Sequence, residues 1–579
     1  MNSKFKKLTS VFLAVIMVFG IFAIVPFTVG AEETINNFSY QLNENGTASI
    51  TDYYGNETNL VIPSTLDGHT VTSIDYDAFS YCESIESITI PDSVNNIGSS
   101  AFYYCSRLKS ISLPYGLKEI SGLTFQECGN LSSVFIPDSV TEIGVSAFQS
   151  CTSLTNITLP ENIKNIDSNA FAYCDNLTSI NIPDGTNYIG DNAFTGCEKL
   201  ADIKMSDNLS AYIEIGAFFD TEWLNTQPDG MVYVGKIMYE YKGSMPDDSA
   251  ITLKSGTKGI AGGAFKSEYG LLSIEIPEGV SYIGSKAFKY CELLKSVKLP
   301  KNMNFIGDYA FEDCVKLEEI SIPNGITKIN YGTFRNCKNL EKVTISDSVK
   351  EICESSFNGC TNLSSMTIPE SVTSIEKSSF RDCKGLKSII LPNSINYIDD
   401  YAFKNCTGLI SITIPNSLKM IPKEAFSGCT SLTKVIIPDG VIRICDYAFN
   451  DCISLKSIVI PESVKYIGSK AFGYYYDEFD TEDKTLNDFV IYGVRGTASE
   501  TYAKNNEINF IEFAFAFGDV NGDGKINIDD VTDIQKYIAN MIDFTEEQVT
   551  LANVDKNGNI SIDDVTLIQK HLAGLAVIE

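Results

Sequence analysis

The chain has 579 residues, 44% of them hydrophobic, with 44 basic and 74 acidic side chains and a formal net charge of -30. That length exceeds one ordinary compact domain. The charge argues against nucleic acid or anionic lipid as a ligand, because both need basic patches. The two histidines, His69 and His571, lie far apart, which argues against a Ser-His-Asp triad or a multi-histidine zinc site. The composition favours an acidic, non-catalytic protein and is compatible with calcium binding.

Residues 1–31 have the pattern of a secretory signal peptide. Three lysines at positions 4, 6 and 7 precede an apolar run over residues 11–25, and Val29-Gly30-Ala31 offers a small-residue cleavage site. The run is shorter than a membrane-spanning helix normally needs. We expect cleavage after Ala31 and export of a soluble protein; an uncleaved anchor is the alternative.

Phenylalanine recurs with a period of 23 residues over most of the chain. One step is 24 residues long and one is a double step of 47. The recurring positions are Phe79, Phe102, Phe125, Phe148, Phe171, Phe194, Phe218, Phe265, Phe288, Phe311, Phe334, Phe357, Phe380, Phe403, Phe426, Phe449 and Phe472. Such a period indicates a stack of similar coils, none of which can bury its apolar side chains alone.

Each repeat predicts the shape of one coil. In one copy Ile412 and Ile414 alternate in the manner of a very short strand, which Pro415 ends because it cannot donate to a ladder. The small Ala425 before Phe426 suits a short helical turn that brings the ring inward. Parallel strands, one per coil, are then expected to form a ladder with a step of about 4.8 Å.

The frame LxxIxIPxxVxxIGxxAFxxC resembles the BspA-type, or treponemal, leucine-rich repeat. The resemblance implies a right-handed solenoid of short parallel strands, of the kind found on secreted bacterial surface proteins that bind other proteins. It places the repeats at 71–472, an N-terminal cap at 32–70 and a C-terminal cap, with a short helix and a last strand, at 473–513.

The double step predicts an insertion near 219–264. The segment Met231 to Tyr241 has the pattern of a hairpin with Gly235-Lys236 as its turn. Trp223 and several tyrosines lie in this insertion. They form either a protruding ligand patch or a lengthened coil whose aromatic side chains pack on their neighbours, and the second interpretation is favoured.

The sixteen cysteines follow the repeat. Fourteen lie three residues after a repeat Phe, while Cys353 and Cys445 take a slot that holds glycine in other copies. One thiol per coil in a buried slot favours free thiols over disulfides, because parallel neighbours about 5 Å apart exceed the preferred Cβ separation of roughly 3.5–4.5 Å. The exposed strand positions are mostly serine, with Ile390, Ile436 and Val459 adding apolar area that is a candidate partner surface.

A second duplication, with an offset of 34 residues, occupies the C-terminal region 514–579. Two copies of a 12-residue loop place oxygen-bearing residues at alternate positions, glycine at the sixth and aspartate at the twelfth, which suits calcium. The alternative is a pair of Asx-rich turns before helices. The predicted side-chain ligands are Asp519, Asn521, Asp523 and Asp530 in loop 1 and Asn553, Asp555, Asn557 and Asp564 in loop 2. Lys525 and Asn559 are expected to offer carbonyl oxygens, while Asn527 and Ser561 hold waters.

The pair of loops closely resembles a type I dockerin, a small all-α module with two loop-helix units. The resemblance implies two calcium ions and docking onto a cohesin of an extracellular scaffold, as in cellulosomes. The family's recognition positions correspond here to Ile528, Asp529, Gln535 and Lys536 and, in the second copy, to Ile562, Asp563, Gln569 and Lys570. Ile528 and Ile562 depart from the Ser or Thr common in the family.

These features together predict a secreted, non-catalytic protein whose solenoid binds a protein or polysaccharide and whose dockerin attaches it to a scaffold at the cell surface. An adhesin or host-directed surface protein is the alternative. A polysaccharide-degrading enzyme fits less well, because repeats and caps tile residues 37–513 and such enzymes need two carboxylates fixed about a cleft.

Overall fold

The computed structural model describes residues 33–206, 211–477, 482–512, 517–521 and 526–578. The predicted signal peptide lies outside these ranges. The described chain is a solenoid of short parallel strands followed by a small helical module, which confirms the predicted fold class. The N-terminal end is a sheet whose hairpins close the first coil. Its strands are β1 (Glu33–Ile35), β2 (Phe38–Leu42), β3 (Ala48–Tyr53), β5 (Thr65–Leu66) and β6 (His69–Ile74).

The coils contribute strands to two parallel ladders. Most strands of the first ladder end just before the repeat proline and alternate in exposure, so that Met366 is buried between the exposed Ser365 and Thr367. The first ladder contains β4 (Asn59–Val61), β7 (Ser87–Thr89), β9 (Ser110–Ser112), β11 (Ser133–Val134), β14 (Ser179–Ile182), β16 (Asp202–Met205), β20 (Ser249–Thr252), β22 (Leu271–Glu275), β24 (Ser296–Lys298), β26 (Glu319–Ser321), β28 (Lys342–Thr344), β30 (Ser365–Thr367), β32 (Ser388–Ile390), β34 (Ser411–Thr413), β36 (Lys434–Ile436), β38 (Ser457–Val459), β42 (Val490–Gly493) and β43 (Asn509–Glu512).

The second ladder is built from two-residue strands that lie between the proline and the next repeat Phe. Most of them pair in parallel with the equivalent strand 23 residues on, as Ile375 does with Ile398, and the ladder is divided into several sheets. Its strands are β8 (Asn96–Ile97), β10 (Glu119–Ile120), β12 (Glu142–Ile143), β13 (Asn165–Ile166), β15 (Tyr188–Ile189), β17 (Tyr212–Ile213), β21 (Gly259–Ile260), β23 (Tyr282–Ile283), β25 (Phe305–Ile306), β27 (Lys328–Ile329), β29 (Glu351–Ile352), β31 (Ser374–Ile375), β33 (Tyr397–Ile398), β35 (Met420–Ile421), β37 (Arg443–Ile444) and β39 (Tyr466–Ile467).

The repeat phenylalanines form stacks through the core. Phe357 is fully buried, and its ring centroid lies 5.5 Å from that of Phe334 and 5.4 Å from that of Phe380. The segment that carries each Phe is a turn rather than the helical turn predicted. Except at Phe472, residues two before and two after the Phe have positive φ, and the Phe N–H donates to the next coil, as Phe357 does to the Ser379 carbonyl at 2.8 Å. The backbone therefore joins neighbouring coils here as well.

All sixteen cysteines are free, and thirteen of them are buried. Each of these thirteen donates its Sγ–H to the carbonyl of the repeat Phe in the preceding coil; Cys360, for example, donates to Phe334 at 3.2 Å. This position thus needs a small apolar side chain that can also donate a hydrogen bond. That double requirement explains why cysteine recurs here better than its apolar character alone does. Burial raises the pKa of the Cys429 thiol to about 12 and also raises that of Cys360 and Cys406.

The insertion interrupts the core between Phe218 and Phe265. It contains the helix α1 (Glu222–Asn225) and the antiparallel hairpin β18 (Gly230–Val234) and β19 (Ile237–Lys242). Trp223, Tyr233 and Tyr241 pack against the core, and Tyr239, 2% exposed, contacts both Phe218 and Trp223. Phe219 is the exception, at 59% exposed. The structure therefore has the lengthened coil, with most of its rings packed on their neighbours, that the sequence favoured.

Tyr282 joins the two parts of the second ladder across this insertion. Its side chain, 1% exposed, passes over Gly259. The hydroxyl donates to the Ala211 carbonyl at 2.8 Å and accepts from the Ile213 N–H at 3.3 Å. A side chain thus satisfies backbone groups that a regular coil would satisfy by strand pairing.

The C-terminal end of the solenoid carries the hairpin β40 (Tyr474–Asp477) and β41 (Glu482–Thr485) and the helix α2 (Ala498–Asn505) before β43. Tyr502 of α2 covers the last repeat, because its hydroxyl accepts from the Phe472 N–H and donates to the Phe472 carbonyl, both at 3.0 Å. The helical module then follows, with α3 (Ile528–Ile538), α4 (Glu546–Ala552) and α5 (Ile562–Leu572).

Candidate calcium and cohesin-binding sites

The C-terminal module has a small core of its own that repeats at the 34-residue offset. Equivalent residues of the two copies belong to this core: Val520 and Val554, Val531 and Val565, and Ile534 and Ile568. The helices α3 and α5 lie against each other. The duplicated loops thus precede two helices that share one core, and each helix turns its other face outward.

Loop 2 brings four of its predicted ligands into one hydrogen-bonded turn. Asn553, 7% exposed, accepts the Gly558 N–H through Oδ1 at 3.2 Å, and Gly558 has the positive φ that this sharp turn requires. Asn557 donates to the Asp555 carboxylate at 2.6 Å. Asp564 is fully buried and accepts the Asp555 N–H at 3.1 Å and the Ser561 N–H at 2.8 Å. Asn559, the predicted carbonyl ligand, is exposed and donates its N–H to the Asn557 side chain.

Loop 1 repeats this arrangement in its described part. Asp530 is fully buried and accepts N–H groups from Val520 at 2.7 Å, Asn521 at 3.1 Å and Asn527 at 2.8 Å. Asp519 is 1% exposed. Two further predicted ligands, Asp523 and Lys525, lie outside the described residues.

The chemistry of these loops fits calcium. Each loop assembles carboxylate and amide oxygens, which are the ligands that this ion takes. In loop 2, burial and, to a smaller degree, the nearby Asp555 carboxylate together raise the pKa of Asp564 to about 6, against the backbone N–H groups that lower it. A divalent cation would offset the repulsion between these two carboxylates. Asn527 and Ser561, predicted to hold waters, also cap the helices, since their side chains accept the N–H groups of Asp529 and Asp563.

The predicted recognition residues lie on the surface of α3 and α5. Ile528 and Ile562 are each 59% exposed, although both are large and apolar. Asp529, Gln535, Asp563, Gln569 and Lys570 are exposed as well, while Lys536 is half-buried and pairs with Asp533 at 3.0 Å. The two copies therefore present nearly the same set of side chains.

The helix α4 was not predicted from the sequence. It begins at a capping box in which Thr545 accepts the Gln548 N–H at 3.2 Å while the Gln548 side chain accepts the Thr545 N–H at 3.0 Å. The pattern Thr-x-x-Gln is a recognised helix start and was the available signal. Leu551 and Ala552 of this helix complete the module's core.

Comparison with known proteins agrees with this structure. A family model described as BspA type Leucine rich repeat region matches residues 46–143, 118–241, 258–387 and 350–477, which is more than half of the chain. A model described as Dockerin type I domain matches residues 517–573. A comparison with curated proteins found no match.

Several solved structures are similar to this chain. A leucine-rich repeat protein from Bacteroides ovatus is 25% identical, with 76% of this chain and 100% of that chain covered and a TM-score of 0.32. The T. pallidum Leucine Rich Repeat protein is 35% identical over 32% of this chain and 84% of its own, with a TM-score of 0.29. A leucine rich cell surface protein from Faecalibacterium prausnitzii is 26% identical over 70% and 94%, with a TM-score of 0.26.

The match over the repeats decides the assignment of the solenoid, and the match over the duplicated loops decides that of the module that follows it. The chain belongs to the BspA-type leucine-rich repeat family and carries a type I dockerin domain at its C-terminal end.

Proposed function

We propose that this protein is an exported interaction protein whose dockerin attaches it, in the presence of two calcium ions, to a cohesin of an extracellular scaffold. The observation that supports this most directly is the pair of equivalent faces on α3 and α5, each with an exposed isoleucine, Ile528 or Ile562, beside polar side chains. Exposed apolar side chains at equivalent positions favour a protein partner over solvent. A dockerin implies a cohesin as that partner.

Calcium would be held in each loop by the oxygens assembled there, with Asp530 and Asp564 as the twelfth-position ligands. Both already anchor the start of a helix through backbone N–H groups. Ion binding and the positions of α3 and α5 are therefore coupled through the same carboxylates, so the recognition faces depend on the loops being filled.

The solenoid is the proposed ligand-binding part, with a protein or a polysaccharide as its ligand. Its exposed strand positions carry mainly small polar side chains such as Ser365, Ser388 and Ser411. A cellulosome-type scaffold would place the protein beside enzymes of polysaccharide catabolism. An adhesin or host-directed surface protein remains the alternative, and the two differ only in the ligand. None of the helices in the described part of the chain is long and apolar enough to cross a membrane.

The attachment is tested by binding of the full mature chain to a panel of type I and type II cohesins, with calcium and after chelation. We expect calcium-dependent binding to at least one type I cohesin and its loss in the double variant Asp530→Asn and Asp564→Asn. The matched control is Asp543→Asn, an exposed aspartate outside both loops.

Binding that persists in chelator, or a double variant that binds as well as the control, would contradict the calcium-dependent attachment. Failure of the folded chain to bind any cohesin in the panel would contradict the proposed partner. For the solenoid, activity on plant polysaccharides after removal of the dockerin would favour the enzyme alternative over a binding role.

A further inference from the structure

The first ladder has an apolar patch near its C-terminal end. In the outward-facing column formed by Thr367, Ile390, Thr413, Ile436 and Val459, register pairs Thr367 with Ile390 and Thr413 with Ile436. Three of these five residues are aliphatic, whereas the equivalent positions of β22, β24 and β26 are Glu275, Lys298 and Ser321. A run of apolar side chains on a solvent-facing ladder indicates a surface that something covers.

The exposure of this column changes where the dockerin begins. Ile390 is 69% exposed, but Thr413, Ile436 and Val459 are only half-buried although they occupy the same outward position. The neighbouring column changes at the same place, because Ser411 is exposed while Lys434 and Ser457 are half-buried. The dockerin therefore covers β36 and β38 and the end of β34, and leaves β32 open.

The covering segment consists of α4 and the start of loop 2. A groove between the two parts is lined by Ile436 and Val459 on one side and by Thr550, Leu551 and Asn553 on the other. At its far end the Gly558 backbone packs so closely on Thr413 that a Cβ there would meet the Thr413 methyl group at 2.5 Å. The part of the apolar patch formed by Thr413, Ile436 and Val459 is thus covered by this chain's own residues.

Charges at the rim of this contact are complementary. Lys556 of loop 2 pairs with Asp439 at 2.6 Å, and its ammonium group lies 4.8 Å from the Phe517 ring centroid. Glu546, at the start of α4, accepts a hydrogen bond from Ser457. Burial lowers the pKa of Lys434, and the Glu546 carboxylate opposes that shift. Each part therefore contributes one cation and one anion to the interface.

We infer that β34, β36 and β38 form a docking surface for the chain's own dockerin, which is held there through α4 and loop 2 in a single orientation. The recognition residues on α3 and α5 take no part in this contact, and all of them except the half-buried Lys536 are exposed. The dockerin can thus face a partner while it remains seated on the solenoid. The open part of the first ladder, on the N-terminal side of β34, is then the surface left for a ligand of the solenoid.

The docking is tested on the full mature chain in calcium by zero-length carbodiimide cross-linking and by small-angle X-ray scattering. We expect a cross-link between Lys556 and Asp439 and the scattering of one rigid body. Asp439→Lys places two cations together, so it should abolish this cross-link and increase the radius of gyration. The matched control is Asp347→Lys, which changes the equivalent exposed position of an uncovered coil and should leave the scattering unchanged.

The charge swap Asp439→Lys with Lys556→Asp should restore the compact form, which separates loss of the pair from damage to the fold. A wild-type chain that lacks the cross-link and scatters as two freely linked bodies would overturn the inference. So would an Asp439→Lys chain as compact as the control. Cohesin binding is measured in parallel: wild-type chain that binds no cohesin would refute the proposed function alone, because the cross-link and scattering do not involve cohesin.

Discussion

The solenoid and the dockerin are both built from repeated sequence, but they repeat different kinds of residue. In the solenoid the most regular positions are interior, such as Phe357 and Cys360. Of the two outward columns of the first ladder, one is mostly serine and the other changes from Glu275 to Lys298 to Ser321. In the dockerin the two copies also carry nearly the same residues at exposed positions. Repeated interior residues allow the coils to stack, whereas repeated surface residues present the same binding face twice.

Changing both faces of the dockerin should have the largest effect on binding. We expect alanine at Ile528, Gln535 and Lys536 together with alanine at Ile562, Gln569 and Lys570 to abolish cohesin binding, because no intact face remains. Either triple change alone should leave the affinity largely intact, since the other face can take its place by an approximate two-fold rotation. Calorimetry with the cohesin found above measures this, and loss of binding in one single-face variant would show that the two faces are not interchangeable.

Removing one stacked ring should be the most damaging single change in the solenoid. Phe357→Ala should lower the free energy of unfolding by about 3–5 kcal/mol, because it removes a buried ring and leaves a cavity between two neighbours. Ser365→Ala, on an exposed strand position, should change it by less than about 0.5 kcal/mol. Denaturant unfolding compares the two. Equal effects would contradict a continuous stacked core.

At the junction beside the insertion, the stability of the solenoid core should depend on a single buried hydroxyl, that of Tyr282. Tyr282→Phe keeps the ring but removes the hydroxyl that bonds to Ala211 and Ile213, so we expect a loss of about 1–3 kcal/mol from unsatisfied buried backbone groups. Tyr397→Phe is the control, because Tyr397 takes the equivalent place in β33 and is 45% exposed. If both variants unfold at the same denaturant concentration, the hydroxyl does not hold the two parts together.

The two calcium loops should differ in affinity although their frames match. Loop 1 offers the carboxylates of Asp519, Asp523 and Asp530, while loop 2 offers those of Asp555 and Asp564. Fewer charged ligands mean weaker binding, so loop 2 should fill second in a calorimetric titration. Asp555→Ala should weaken the second, weaker step. A weakened first step in that variant would reverse the order.

The smallest expected effect is the labelling of thiols in the folded chain, where few cysteines are accessible. In the folded chain we expect only the half-buried Cys82, Cys353 and Cys445 to be labelled, because burial blocks access to the other thirteen thiols. Burial also raises the pKa of Cys353 to about 12 and raises that of Cys445, so these two should react slowly near pH 8. After anaerobic denaturation the count should reach sixteen, one for each free cysteine. Mass spectrometry of alkylated peptides gives both values, and a denatured count near zero would mean that the thiols are bridged.

The sequence alone was sufficient to predict those parts of the fold that follow from the 23-residue period. The 23-residue spacing placed Phe357 in the core and predicted the strands before each proline, because stacking repeats the same burial in each coil. It could not show that Tyr282 bridges residues about 70 positions earlier, since that bond depends on how the insertion displaces the chain. The positive φ values beside each Phe were also missed, because non-glycine residues there give no sequence signal.

The loops of the dockerin were predicted as ligand sets from spacing, and Asp530 and Asp564 are indeed buried at the starts of their helices. The ligand assignments themselves stay predictions. The sequence indicated Ile436 and Val459 as a candidate partner surface, but it did not indicate that the dockerin of the same chain covers them. That contact joins residues roughly a hundred positions apart, so local pattern could not reveal it.

The hydrogen bonds around each repeat Phe bear on how the chain folds as it is synthesised. The Phe357 N–H donates forward to the coil that follows, whereas the Cys360 thiol donates back to the coil that precedes. Each coil also holds residues with positive φ, which cost roughly 1–2 kcal/mol apiece in an L-amino acid. A newly made coil therefore stays incomplete until about 23 more residues have emerged. During synthesis the unfinished end of the rod moves along the chain one repeat behind the growing terminus, and the helix α2 finally closes it.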